Sequence, residues 1–416
     1  MSNLKTKISS FRALDFAILI NAIGLNFMKF VPIGLIILSL AWIYESFIAK
    51  TVTFKFKGKS FKKNLYVLTI PFSLAVLGLI HTSNFSKGFE DLGRLLPFLV
   101  FPFLLLSLPN ERKKSLLSTV LFGFIFGLFI RFGLDFYESA IGYTYDYNIQ
   151  IFFYTYLDSD TNILAIITLF AVLYLLDYLL SKSEISTKKN VLIHLIILFL
   201  SFCILLLQSR IVILFFFITL VILFIIYWKN KRKWSVFLTG VFCSLLMLIP
   251  VFQGRFQVVA AESEKLNTTD TTVVSDAVPI ESLPCMSSTE LRYNSLKSSW
   301  KIFLKNPIIG VGTGDWRDEL VKEYKASNLI CNEHEQTAPH NQYMRTLLKY
   351  GIFGFIIYLF YLFKLFQFSR TNRRFGQIPF LLTLIFCGLG YDLLDVGSSA
   401  PVFAFFSTWL FFEENP

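Results

Sequence analysis

Apolar runs follow one another along most of this chain, separated by short polar loops, and one long polar segment, 254–345, interrupts them. The runs fall at 13–28, 30–47, 64–81, 94–108, 116–135, 161–180, 191–208, 211–228, 235–253, 346–366, 377–396 and 400–412. A helix needs about 20 apolar residues to cross the hydrocarbon core, and shorter runs serve where the bundle is thin, so the pattern predicts about twelve spans. The implied division is transmembrane helices 1–9 in residues 1–253, an external loop with amphipathic helices at 254–345, and helices 10–12 in 346–416.

Composition agrees with that pattern. The chain has 416 residues, 55% of them hydrophobic and only 16% charged. Soluble proteins carry about 25% charged residues, so the expected fold class is all-α and polytopic in a membrane. The net charge of +11 is no sign of nucleic-acid binding, because the basic residues sit in short loops between apolar runs. Those loops, at 50–63, 112–114, 182–189, 229–233 and 370–374, fall on one side together with the basic N-terminus. The positive-inside rule puts that side, and both termini, in the cytoplasm. The 254–345 segment and the Gln208-Ser209-Arg210 turn then face outward. The stretch before the first run carries Lys5, Lys7 and Arg12 and no small-residue cleavage site, so that run reads as an uncleaved span.

Parts of the external segment have helical signals. Ser287-Ser288-Thr289-Glu290 has capping-box spacing, and the helix it starts runs to Asn306-Pro307. Arg292, Leu296, Trp300 and Phe303 fall on one face of it. Gly310-Val311-Gly312-Thr313-Gly314 reads as a turn, and Trp316, Leu320 and Tyr324 predict a second amphipathic helix. The stretch 260–285 lacks periodicity and reads as irregular. A further helix begins near Pro339-His340 and enters the next span, with His340, Tyr343 and Leu347 on one face.

Few residues in this pattern carry chemistry. Arg210 sits between two apolar runs, where an unpaired charge is costly. It either snorkels to headgroups or faces a cavity and holds an anion such as phosphate. Arg292 has the same two readings, as an interfacial arginine or an anion ligand. His340 is either a capping residue or a neutral imidazole at a helix start, able to accept a proton. His334, between Glu333 and Glu335, has no metal-ligand spacing to His340 and reads as part of a solvated loop. The glycine run follows no strand and is not a dinucleotide fingerprint. Cys203, Cys243 and Cys387 lie in apolar runs, whereas Cys285 and Cys331 are the pair in the external segment, where a disulfide between them is expected.

Taken in order, these pieces resemble the O-antigen ligase and O-antigen polymerase family of bacterial membrane glycosyltransferases. The resemblance rests on Gln208-Ser209-Arg210 after a span, and on Glu290-Leu291-Arg292 leading to Trp300. It rests also on Asn306-Pro307-Ile308-Ile309-Gly310-Val311-Gly312-Thr313-Gly314 and on Pro339-His340-Asn341-Gln342-Tyr343. It implies transfer of a glycan from an undecaprenyl-diphosphate carrier to a lipid A-core sugar, at the periplasmic face of the bacterial inner membrane, without cofactor or metal. Arg210 and Arg292 would bind the donor diphosphate and His340 would be the catalytic base. Asn341, Gln342 and Tyr293 are candidates for supporting roles, and Asp315, Glu319 and Asp395 for helpers. Met344 stands where the family commonly has leucine. Two alternatives stay open. A polymerase would use the same donor with a carrier-linked acceptor; a lipid-linked sugar flippase would share the spans, although no broken-helix pair is evident in the sequence.

Overall fold

The computed structural model describes residues 12–50, 59–142, 161–182, 185–207, 209–226, 240, 288–371 and 374–411. Among these the only regular structure is helical, in agreement with the all-α expectation. We number the helices α1 Ala13–Gly24, α2 Val31–Ile43, α3 Lys59–Leu68, α4 Ile70–Leu79, α5 Phe85–Leu95, α6 Pro97–Leu106, α7 Asn110–Gly142 and α8 Thr161–Ser181. There follow α9 Thr187–Leu206, α10 Arg210–Ile226, α11 Ser288–Lys305, α12 Trp316–Ala326, α13 Ile330–Glu335, α14 Gln342–Thr371, α15 Gln377–Cys387 and α16 Ala400–Leu410.

Five described segments are long and apolar enough to cross a bilayer: Met28–Ile48, Asn110–Tyr137, Thr161–Ser181, Thr187–Leu206 and Gln342–Thr371. This is a membrane protein. α8 is apolar on every side and has 94% of its apolar window buried, as a helix surrounded by other helices must be. Around it the core is aromatic. Phe124 and Phe406 meet edge to face at 4.7 Å, and Phe170 meets Phe406 at 4.9 Å, the arrangement that ring quadrupoles favour.

Several apolar runs are not single helices. The 64–81 run divides at Thr69, with Pro71 in the first turn of α4, because proline lacks the N–H that would continue the ladder. The 94–108 run divides at Leu96-Pro97 for the same reason. The 377–396 run ends its helix at Cys387, and residues 388–399 form turns. The 235–253 run and the irregular 260–285 stretch lie outside the described residues, save Gly240.

α14 is the largest departure. It is broken at Gly351, whose φ of 61° and ψ of −163° no other residue type adopts readily. The break frees backbone groups, and the Pro307–Gly312 strap satisfies them. Val311 N–H donates to Leu348 O at 3.0 Å and Gly312 N–H to Lys349 O at 2.9 Å. In return Ile352 N–H donates to Pro307 O at 2.8 Å and Phe353 N–H to Ile308 O at 3.2 Å. Non-helical backbone at membrane depth is tolerated when protein satisfies it in this way. The glycine run therefore braces a broken helix; a loose turn is not what forms.

Candidate functional site

The site is built where α14 begins. Asn341 caps the helix by accepting from Met344 N–H at 2.9 Å, satisfying one of the orphan donors of a first turn. His340 precedes the cap and is held at φ +48°. A left-handed backbone on a non-glycine residue costs about 1–3 kcal/mol and persists only where surroundings impose it. They do so here: Asn341 N–H donates to Asp392 Oδ1 at 2.9 Å, and Gln342 N–H to Gly388 O at 2.8 Å. His340 thus stands outside the helix, and the expected shared face with Tyr343 and Leu347 does not form. Tyr343 instead donates its hydroxyl to Ile385 O at 2.8 Å.

The facing wall is the turn after α15. Gln342 fixes it twice, with Oε1 accepting from Leu394 N–H at 2.8 Å and Nε2 donating to Asp395 Oδ2 at 2.9 Å. Asn341 Nδ2 adds a bond to Leu389 O at 2.8 Å. The two amides after the histidine therefore position the wall of the site.

Tyr391 joins two of the residues singled out in the sequence. Its ring lies edge-on to the His340 imidazole, centroids 6.4 Å apart. Its hydroxyl accepts from Arg292 Nη2 at 3.2 Å, and the Arg292 guanidinium carbon is 5.1 Å from the ring centroid. Arg292 and His340 flank one buried ring. Arg210 opens α10, and a Cβ on Gly390 would come within 2.7 Å of Ile211 Cδ1. The first turn of α10 therefore abuts the same turn that carries Tyr391; the Arg210 side chain lies outside the described residues.

α11 spans the expected residues but presents a different face. Leu291, Ser295, Ser298, Ser299 and Ile302 are buried, while Trp300 is 46% exposed and packs on Phe303. Small serines let α12 approach, and Tyr324 donates to Thr337 O at 2.7 Å beside Ser295. Tyr293 is 63% exposed and points away from this packing. On α12, Trp316, Leu320 and Tyr324 are all buried, as their spacing predicts. His334 is exposed, and no group of three or more metal-ligating side chains occurs among the described residues. Cys331 is disulfide-bonded, and Cys203 and Cys387 are free; Cys285 lies outside the described residues.

Beneath the histidine lies a buried charge network that sequence reasoning largely missed. Lys349 Nζ sits between Asp395 Oδ1 at 2.6 Å and Asp91 Oδ2 at 3.0 Å. Arg345 Nη1 pairs with Asp392 Oδ2 at 2.7 Å and stacks over Trp316 at 4.0 Å. Trp316 Nε1 donates to Asp91 Oδ2 at 2.8 Å, and Arg94 donates to Asp91 Oδ1 at 2.9 Å. Burial alone would raise the Asp91 carboxyl, but Lys349 and Arg345 outweigh it and hold the group far below the usual carboxylate range. Half-buried Arg317 stacks on Trp316 at 5.0 Å; burial, then the charges of Arg94 and Arg345, push it below its ordinary value. Asp392 binds both Asn341 N–H and Arg345, so the network and the histidine's backbone share one carboxylate. One signal was available: Lys349, Asp392 and Asp395 are charges inside apolar runs, which are conspicuous in a membrane.

A helical membrane protein with a strained histidine and an arginine around one tyrosine is the class defined so far. Residues 195–359 match the family model described as O-Antigen ligase. The match covers less than half of the chain and supports the O-antigen ligase and polymerase family that the sequence motifs resemble. No curated protein matches this chain. The matched segment includes Arg210, Arg292 and His340 and ends before Tyr391, Asp392 and Asp395.

Proposed function

We propose that this protein is a bacterial inner-membrane glycosyltransferase of the O-antigen ligase type, with its site at the periplasmic face. It moves a glycan from an undecaprenyl-diphosphate carrier to a lipid A-core hydroxyl, with inversion and without a metal. The observation that carries this reading is the Arg292–Tyr391–His340 arrangement, in which a cation and a strained imidazole flank one ring. In this scheme His340 takes the proton of the acceptor hydroxyl as its oxygen attacks the anomeric carbon. The bond to the diphosphate breaks with its electron pair on the leaving oxygen, and Arg292, with Arg210, stabilises the charge that develops there. Tyr391 orients the guanidinium through its hydroxyl.

The topology proposed with it has about twelve spans and cytoplasmic termini, the basic loops lying inside. The 254–345 segment, closed by a Cys285–Cys331 disulfide, then brings α11 to the site from the periplasm. Arg292→Gln should lower the transfer rate about 10²–10³-fold, the range for loss of one charge-stabilising donor. Undiminished turnover in excess chelator supports the metal-free reading; loss of turnover contradicts it. The polymerase reading uses the same residues with a carrier-linked acceptor. Expression in ligase-deficient and polymerase-deficient hosts separates the two: restored polysaccharide on lipid A-core means ligase, restored chain length means polymerase. Transbilayer movement of carrier-linked glycan without transfer would favour the flippase.

A further inference from the structure

Two cavities adjoin behind the Pro307–Gly312 strap, and they differ in character. The first, of about 440 Å³, is lined by Asn306, Asp315, Glu319 and the strap residues 307–311. The second, of about 300 Å³, is almost wholly apolar, with Leu74, Leu77, Ile80 and Phe353 in its wall. His81 and Ile309 line both. Each volume is in the range of ligand sites, and an apolar pocket with a few convergent polar groups is the usual form of one.

His81 marks the junction. Its Nε2 is buried and has no hydrogen-bond partner among the described residues. An unpaired buried polar atom costs about 1–3 kcal/mol, and nearly all such atoms in folded proteins find a partner. A ligand group at the junction would supply one. The surroundings say what kind of molecule brings it. Ile80, Ile308, Ile309 and Phe353 are all more than half exposed, an apolar margin suited to contact with hydrocarbon.

The polar cavity narrows the choice further. Asp315 and Glu319 are its charged side chains. Asp315 already accepts from Ser83 N–H and Asn84 N–H at 2.7 Å. Glu319 meets the exposed Lys322 at 2.7 Å, a surface pair of little energetic weight. A cavity with acceptors and acids favours a head group that is cationic and donates hydrogen bonds.

We propose that the paired cavities hold one membrane phospholipid with an ammonium head group. An acyl chain occupies the apolar cavity, the phosphate accepts from His81 Nε2–H at the junction, and the ammonium reaches Glu319. Phosphatidylethanolamine fits this chemistry. A quaternary head group has no N–H to donate, and an anionic one meets two carboxylates. The site is built on α4, the strap and the part of α14 around its break, Tyr350 to Gly354, so the lipid braces the break at Gly351. This inference is independent of the glycosyl-transfer reading.

The test uses the full-length protein, stripped of lipid and reconstituted in nanodiscs of phosphatidylcholine containing equal minor fractions of phosphatidylethanolamine and phosphatidylglycerol. Native mass spectrometry after release counts the lipid that stays bound. Phosphatidylethanolamine should be retained about tenfold over the others, as one charge-assisted hydrogen bond predicts. His81→Phe and Glu319→Gln should each reduce that preference several-fold, and Ile309→Trp, which fills the junction, should abolish retention. If His81→Phe does not fold, the exposed-side variant Glu319→Gln carries the test. Equal retention of the three lipids, a preference for phosphatidylglycerol, or a preference unchanged in both Glu319→Gln and Ile309→Trp overturns the proposal.

Discussion

Replacing Lys349 by methionine isolates the buried network from the rest of the fold. Lys349 has no exposed surface, and its ammonium lies 2.6 Å from Asp395 and 3.0 Å from Asp91. Methionine keeps the volume and removes the charge. Two carboxylates then lose a common cation in a site from which water is excluded. Breaking a buried pair on one side costs about 3–5 kcal/mol, because the remaining charge is left uncompensated. Arg94 still serves Asp91, and Gln342 still serves Asp395, so the lower end of that range is expected. Adding Asp395→Asn should restore about half the loss, since a neutral amide needs no cation and can keep the bond from Gln342. The assay is denaturant unfolding in mixed micelles of wild type, both single variants and the double variant, read as a double-mutant cycle. A coupling of at least about 1.5 kcal/mol is expected. Simple additivity, or a single-variant loss under about 1 kcal/mol, would refute the claim that this pair holds α14 against the 388–395 turn.

Further outcomes follow from the same geometry. Gly351→Ala places a Cβ 2.4 Å from Ile308 O and at φ +61°; it should destabilise by more than about 1 kcal/mol and expose the strap to proteolysis. Asp91 and Glu323 both have depressed carboxyls: for Asp91 burial is outweighed by Lys349 and Arg345, and for Glu323 by hydrogen bonds from Lys305 and Lys301. Their contribution is complete above the unfolded value of about 4 and is lost as pH falls below it. The unfolding free energy should therefore drop on acidification below about pH 4, with a shallower slope in Asp91→Asn. Non-reducing peptide mapping should recover Cys285 joined to Cys331, and alkylation of Cys285 in the untreated protein would contradict that pairing.

The helical class of the fold was legible because apolar composition and run length are global signals that no local exception cancels. α11 and α12 were legible at their ends, where a capping box, Asn306-Pro307 and the Trp316, Leu320, Tyr324 spacing speak locally. The inward face of α11 was not, because its serines are chosen by the close approach of α12, a tertiary fact. The break at Gly351 was hidden for a similar reason. A glycine inside an apolar run is ordinary in a membrane helix, and only the strap, about forty residues earlier, reveals that the ladder opens there. Arg292 and His340 could be named singly, but Tyr391 could not. It lies beyond a further helix, in a run that hydropathy reads as one span, and its role comes from the turn that Asn341 and Gln342 hold in place. Asp395, in that same run, was named only as a candidate helper, and its partners Lys349 and Arg345 and the neighbouring Asp392 come from tertiary packing.

The central claim is that His340 serves as the base in glycan transfer beside Arg292. Its most direct test is to incubate purified wild-type and His340→Ala protein with carrier-linked glycan and lipid A-core, and to read product by mass. The account predicts glycosylated lipid A-core with wild type. With His340→Ala the rate should fall by about 10²–10⁴-fold, the usual contribution of a general base, while donor binding persists. Equal product from both proteins, at equal folding by size exclusion, would contradict it.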